Sequence, residues 1–136
     1  FMCGINILGS THEESLMGQQ LRVLVAEDEL IVGYDLCDTV AEAGYIVEGP
    51  FDDLSSAMLA YQKTKPDIAI LDVQLGDGVV YPLAERMMAE DVKIIFHSGH
   101  MRPLDVTTRF PNAQALLKPC PPADVIHSIQ RATANG

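Results

Sequence analysis

The chain has 136 residues, of which 48% are hydrophobic and 21% charged, a size and composition that suit one domain with one core. Its 19 acidic residues outnumber its 9 lysines and arginines and give a formal net charge of -10, so direct binding to nucleic acid is not expected. Its three cysteines are scattered and no apolar run reaches about 20 residues, so we expect a soluble cytoplasmic protein without disulfides, a zinc motif or a membrane span.

Residues 1–20 are interpreted as an N-terminal extension of a domain that covers residues 21–136. Gly4, Gly9 and Gly18 interrupt any long hydrophobic periodicity in this segment. Two interpretations stay open: a native, partly disordered extension, or a segment foreign to the natural protein.

Short β-branched runs alternate with amphipathic stretches from Leu21 onward, which is the pattern of a parallel sheet covered by helices. Four of the five predicted strands are nearly unbroken apolar runs, typical of strands buried on both faces. The predicted strands cover residues 22–26, 45–48, 67–71, 93–97 and 115–117.

Four helices are predicted around these strands. In the first, Leu30, Tyr34, Cys37 and Ala41 recur at helical spacing, and Gly44 follows where a left-handed cap is expected. We expect such stripes to face the core, Tyr34 included. The later helices are marked by Leu54, Met58 and Tyr61, by Val80, Leu83 and Met87, and by a start at Pro121 and Pro122.

This alternation predicts an α/β fold, a flavodoxin-like, doubly wound, five-stranded parallel sheet in the order 2-1-3-4-5 with helices on both faces. Strands one and three are neighbours in that order. The ligand crevice of such a sheet lies at the carboxyl ends of its strands.

Three carboxylates lie at the predicted crevice. Glu27 and Asp28 directly follow strand one, and Asp72 directly follows strand three. Because they repel one another, either some of them are protonated or a hard divalent cation neutralises them, and Mg²⁺, which prefers oxygen ligands, is the natural candidate. Taken singly, each element also suits a structural role, in which Asp28 and Glu29 favour the start of helix one through its dipole and Asp72 caps a turn.

Two more polar residues follow the remaining strands of the sheet. Ser98 comes at the end of strand four, and Lys118 follows strand five. A hydroxyl and an ammonium beside a metal and a nucleophilic carboxylate suit phosphoryl transfer, because that reaction depends mainly on neutralising and orienting phosphoryl oxygens.

These strand-end residues, in this order, resemble the defining set of the response-regulator receiver family of two-component signalling. The resemblance covers about residues 21–133, and the interval from Asp28 to Asp72 (72 minus 28, or 44) is typical of the family. It implies that Asp72 accepts a phosphoryl group from a phosphohistidine. It also implies that Asp28 binds Mg²⁺ directly and that Glu27 binds it through water.

The same resemblance implies the remaining contacts of the site. The backbone carbonyl of Gln74 would complete the metal ligands, and Ser98 and Lys118 would hold the phosphoryl oxygens. Gly99 is expected to leave room for the phosphoryl group, and a cis bond at Pro119 to aim the preceding lysine into the site.

Four histidines share no metal-ligand spacing. His100, two residues beyond Ser98, is expected at the edge of the site, where it can influence water access to the acyl phosphate. The others, His12, His97 and His127, are interpreted as ordinary polar residues.

The chain departs from the family pattern at the usual output face. Ala115 stands where the family usually carries an aromatic switch residue, and residues 101–109 predict a short or irregular helix. The Phe-His-Ser-Gly-His string at 96–100 is similar to the Phe-Ala-Thr-Gly-Tyr signature of one stand-alone branch of receivers.

The resemblance implies a single-domain response regulator that is phosphorylated by a histidine kinase or a histidine phosphotransfer protein. It would act on an unknown downstream protein by phosphorylation-dependent binding or phosphorelay, and a phosphorylation-dependent homodimer stays open. It would assist its own phosphorylation and dephosphorylation without being a conventional enzyme. The alternatives are a Mg²⁺-dependent phosphatase or nuclease, which lacks a second carboxylate after Asp72, and a non-phosphorylated pseudo-receiver, against which the acidic residues and Lys118 weigh.

Overall fold

The computed structural model describes residues 20–99, 106 and 108–134. Strands and helices alternate along this part of the chain, and a short antiparallel pair, β4 and β5, follows the third strand of the main sheet. The elements are β1 Arg22–Ala26, α1 Leu30–Glu42, β2 Ile46–Phe51, α2 Leu54–Lys63, β3 Ile68–Leu71, β4 Gln74–Leu75, β5 Gly78–Val79, α3 Tyr81–Ala89, β6 Lys93–Ser98, β7 Gln114–Leu117 and α4 Pro122–Ala134.

The main sheet is parallel and has the order β2-β1-β3-β6-β7. Since β6 and β7 are its fourth and fifth strands along the chain, this is the predicted order 2-1-3-4-5. The flavodoxin-like fold predicted from the sequence is confirmed.

Alternate residues of the central strands point into two separate cores, one on each face of the sheet. On one face, Leu24, Leu71 and Phe96 pack with residues of α2 and α3. On the other face, Val25 and Ile70 pack with residues of α1 and α4. Because the strands are apolar on both sides, only helices on both faces remove their side chains from water.

The helix boundaries follow local capping chemistry. The chain leaves α1 through Gly44, whose φ of 100° is the left-handed conformation that glycine adopts readily. The Asp53 carboxylate accepts a hydrogen bond of 2.7 Å from the backbone N–H of Ser56 and thereby caps α2. Pro82 and Pro122 lie in first helical turns, where the missing N–H costs nothing.

The apolar stripe predicted for α1 is wrong. Tyr34 is 59% exposed, and the buried residues of the helix are Gly33, Leu36 and Val40. A Cβ at Gly33 would lie 2.7 Å from the Cβ of Pro50, so the packing of α1 against β2 leaves no room for a side chain at this position. Hydrophobic periodicity does not register glycine, and the predicted stripe is therefore rotated away from the true one.

Strand β2 extends to Phe51, past the predicted end at residue 48. Its pairing with β1 is irregular between Leu24 and Ala26, and as an edge strand it tolerates Pro50, which has no N–H to donate. Gly49 has a φ of 123°, and a Cβ there would lie 2.4 Å from the backbone oxygen of Val25. Glycine is thus required at this position.

Two predictions fall largely outside the described residues, namely the N-terminal extension and the irregular helix at 101–109. In the second segment, residues 106, 108 and 109 are helical. Within the described ranges, no helix is both long and apolar enough to cross a membrane.

Candidate functional site

The backbone brings the ends of β1 and β3 to the same edge of the sheet. Ala26 pairs with Leu71, so the next residues, Glu27 and Asp72, emerge side by side. The backbone N–H of Asp72 donates to the Ala26 oxygen at 2.9 Å, and that of Glu27 donates to the Phe51 oxygen at 2.8 Å. These backbone hydrogen bonds fix the positions from which the Glu27 and Asp72 side chains extend.

The three carboxylates predicted to converge do lie together. One side-chain oxygen from each of Glu27, Asp28 and Asp72 lies within 4.8 Å of the others. Glu27 is fully buried and Asp72 is 5% exposed, whereas Asp28 faces solvent. The cluster is therefore exposed to solvent at Asp28 and buried at Glu27 and Asp72.

Lys118 reaches this cluster from the end of β7. Its Nζ lies 2.8 Å from Glu27 Oε2, 3.1 Å from Asp72 Oδ2 and 2.9 Å from Glu29 Oε1. The Lys118–Pro119 peptide bond is cis, as predicted, and the backbone N–H of Lys118 donates to the Ser98 oxygen. The ammonium thus bridges the ends of β1 and β3.

The electrostatics of the site reflect excess negative charge. Burial raises the pKa of Asp72 to about 6, helped by the hydrogen bond and the charge of Glu27. Burial also raises the pKa of Glu27, but the neighbouring imidazole of His97 and the hydrogen bond from Lys118 outweigh it and leave that pKa at about 2. Burial lowers the pKa of Lys118, and its hydrogen bonds to the carboxylates outweigh this effect and raise that pKa.

The cluster fits a hard divalent cation. Its donors are carboxylate oxygens, the ligand type that Mg²⁺ selects, and the open side leaves room for water or a phosphate oxygen. Lys118 already supplies a positive charge in contact with two of the three carboxylates. A metal bound here would offset the same repulsion.

The other predicted site residues lie around this cluster. Ser98 ends β6 and is 3% exposed. The backbone N–H of Gln74 donates to Asp72 Oδ1 at 3.3 Å, and a ligand role for the Gln74 carbonyl stays a prediction. Among the described residues, a Cβ at Gly99 would meet only the Lys118 Cβ, at an ordinary van der Waals distance of 3.9 Å. His100 lies outside the described residues.

Sequence reasoning missed two contacts of the site. Glu29 was considered only for its effect on the start of α1, yet its carboxylate contacts Lys118. His97 was interpreted as an ordinary polar residue, yet its Nδ1 lies 3.6 Å from Glu27 Oε1 and the imidazole is 3% exposed. A histidine inside the apolar run of β6 was the available signal.

Comparison with curated proteins identifies relatives among response regulators, although no family model matches the chain. The transcriptional regulatory protein PdtaR of Mycobacterium tuberculosis is 33% identical over an alignment of 118 residues that covers 83% of this chain and 57% of PdtaR. The response regulator protein GraR of Staphylococcus haemolyticus is 33% identical over 87 residues, covering 62% of this chain and 38% of GraR. The chain spans little more than half the length of PdtaR.

Comparison with solved structures gives the same result. The receiver domain of the response regulator PhyR from Erythrobacter litoralis superposes with a TM-score of 0.73 and 27% identity, covering 83% of this chain and 89% of that domain. The chemotaxis response regulator CheY4 of Vibrio cholerae shares the fold, with a TM-score of 0.72, 24% identity, and coverage of 83% of this chain and 98% of CheY4. The sheet order, the acidic edge and these relatives show that the chain has the receiver fold and is similar to the receiver domains of response regulators.

Proposed function

We propose that this receiver domain accepts one phosphoryl group on Asp72, with Mg²⁺ bound by Glu27, Asp28 and Asp72. The observation that carries the proposal is the convergence of three carboxylates on one edge of the sheet, bridged by Lys118. Like charges in a partly buried site repel one another by several kcal/mol. The three carboxylates therefore destabilise the fold, and a purely structural role would not favour their convergence.

Asp72 is the nucleophile in this proposal. One of its carboxylate oxygens attacks the phosphorus of a phosphohistidine, the P–O bond forms as the P–N bond breaks, and the imidazole nitrogen keeps the electron pair. Lys118 and Ser98 bind the equatorial phosphoryl oxygens, and Lys118 exchanges its contact with Asp72 for one with the phosphoryl group.

The metal site completes the charge balance. Asp28 would hold Mg²⁺ directly, Glu27 would hold it through water, and the Gln74 carbonyl would supply a further ligand. The ion would supply positive charge that offsets the carboxylate and phosphoryl charge.

We propose further that the domain works in the cytoplasm and receives its phosphoryl group from a histidine kinase or a histidine phosphotransfer protein. Its output is phosphorylation-dependent binding of another protein or onward relay, as in the stand-alone branch that the 96–100 string resembles. Phosphatase or nuclease activity is not favoured, since the relatives are named as regulatory proteins and the segment after Asp72 adds no second carboxylate.

Incubation with acetyl phosphate and Mg²⁺, followed by intact-mass measurement, tests the proposal. We expect one added phosphoryl group on the wild-type protein and none on Asp72→Asn, because an amide is not a nucleophile here. Excess chelator should prevent the addition. Labelling should stop at one group for each chain, whereas a phosphatase would turn over continuously.

Asp67→Asn is the matched control. Asp67 lies at the opposite end of β3 and its carboxylate accepts from the backbone N–H of Arg22, a contact that asparagine can keep. This variant should be labelled like the wild type. Labelling of Asp72→Asn, or equal labelling in excess chelator, would contradict the assignment.

A further inference from the structure

His97 is a polar residue on a strand face that otherwise packs into an apolar core. Along β6, Ile95 packs into the core next to α1 and α4, and His97 follows two residues later on the same face of the strand. The imidazole is 3% exposed. A buried polar ring costs free energy unless a partner satisfies it, so its partner identifies its role.

That partner is Glu27. His97 Nδ1 and Glu27 Oε1 face each other at 3.6 Å, and neither atom has a hydrogen-bond partner among the described residues. The other oxygen, Glu27 Oε2, accepts from the Glu29 backbone N–H at 3.1 Å and from Lys118 at 2.8 Å. Oε1 thus depends on the imidazole, and a movement of a few tenths of an ångström makes a hydrogen bond.

His97, together with Gly99 and Lys118, lines a cavity of about 540 Å³ between α1 and the start of α4. The cavity gives a substituted side chain room at this position.

The two contacts of Glu27 differ in what happens during phosphorylation. Lys118 is required at the phosphoryl oxygens in the proposed function, which draws it away from Glu27 Oε2. His97 lies beneath the carboxylate, on the buried side, and its contact with Oε1 does not involve the phosphoryl group. His97 can therefore hold Glu27 throughout the cycle.

We propose that His97 is a positioning residue, whose Nδ1–H donates to Glu27 Oε1 and fixes the carboxylate for the water-mediated contact with Mg²⁺. The inference rests on the proposed function, since it assigns Glu27 to the metal. Groups that orient metal-binding carboxylates affect metal affinity by about 10- to 100-fold, although they do not touch the metal.

Three substitutions of His97 distinguish the effect of the Nδ1 hydrogen-bond donor from the effect of the space that the ring fills. His97→Asn places an amide N–H near the position of Nδ1, His97→Gln places it near the position of Nε2, and His97→Leu fills similar space without a donor. By calorimetric titration without a phosphodonor, we expect His97→Asn to bind Mg²⁺ within about threefold of the wild type. His97→Leu and His97→Gln should bind about tenfold more weakly.

The Mg²⁺ dependence of phosphorylation supplies a second readout. In His97→Leu, the Mg²⁺ concentration for half-maximal labelling by acetyl phosphate should rise about tenfold, while the rate at saturating Mg²⁺ stays near that of the wild type. A purely structural role would not move the half-saturation point without also lowering the saturated rate.

An NMR measurement on the wild-type protein tests the contact without any variant. The ¹⁵N shifts of His97 should show the proton on Nδ1. A neutral ring protonated on Nε2 would overturn the inference, as would folded Leu and Gln variants with wild-type Mg²⁺ affinity or an Asn variant as weak as Leu. If His97→Leu does not fold, the comparison of Asn with Gln decides. Wild-type protein that binds no Mg²⁺ overturns the proposed function itself.

Discussion

Replacement of Lys118 by methionine should destabilise the protein strongly when no Mg²⁺ is present. The Lys118 side chain is 15% exposed, and its Nζ contacts the fully buried Glu27 and the buried Asp72. Methionine keeps a stem of similar length but removes the ammonium, which leaves two buried carboxylates without a cation. Breaking a buried pair in this way costs about 3–5 kcal/mol.

The exposed contact of Lys118 adds little to this figure. Glu29 has a side chain that is 63% exposed, so its pairing contributes about 0–1 kcal/mol. The expected loss is therefore set by Glu27 and Asp72. For a domain of this size, a loss of about 3 kcal/mol lowers the melting temperature by roughly 10–15 °C.

Mg²⁺ should restore much of the lost stability, because it offsets the same repulsion. In the wild-type protein the metal must displace the ammonium from Glu27 and Asp72, whereas in Lys118→Met these oxygens are free to take it. A metal present at about 100 times its dissociation constant stabilises the folded state by about 2.7 kcal/mol. We expect a larger increase in unfolding free energy from Mg²⁺ in the variant than in the wild type.

Urea unfolding with and without Mg²⁺ measures these quantities. Lys65→Met is the control, since Lys65 is an exposed residue before β3, at the opposite end of the sheet from the site. It should change stability by about 0.5 kcal/mol or less. Equal stability of Lys118→Met and wild type without Mg²⁺, or an equal deficit with and without it, would refute the reasoning.

Three further outcomes are expected. Phe96→Ala should lower the free energy of unfolding in denaturant by about 3–5 kcal/mol, because Phe96 is fully buried against two aromatic rings. Leu117→Ala, at a half-exposed position, should lower it far less, and similar losses from the two variants would contradict the described packing. Asp53→Ala should cost about 1 kcal/mol through loss of the α2 cap, and Asp53→Asn much less, so equal losses from both would argue against a capping role. Because Ala115 offers no ring to rotate, beryllofluoride should change hydrogen exchange mainly across residues 100–110, and unchanged protection there alongside changes elsewhere would defeat this prediction.

Sequence patterns were sufficient for the sheet and for the acidic edge. Parallel strands buried on both faces must be apolar throughout, so their runs are visible in the sequence, and the polar residue that ends each run marks one edge. Glu27, Asp28, Asp72 and Lys118 could therefore be assigned to one site before any coordinates. Their chemical roles came from resemblance to the receiver family and stay proposals.

The partners of each charge were decided only by the tertiary structure. The contact between His97 and Glu27 joins residues 70 positions apart (97 minus 27). His97 lies in β6 and Glu27 directly follows β1, two strands that β3 separates in the sheet, and no local pattern encodes such a contact. The buried face of α1 was likewise set by Gly33 against Pro50, a contact that hydrophobic periodicity does not register. Apolar burial is periodic along the chain and can be read from it, whereas the pairing of buried charges depends on which strand ends the sheet brings together.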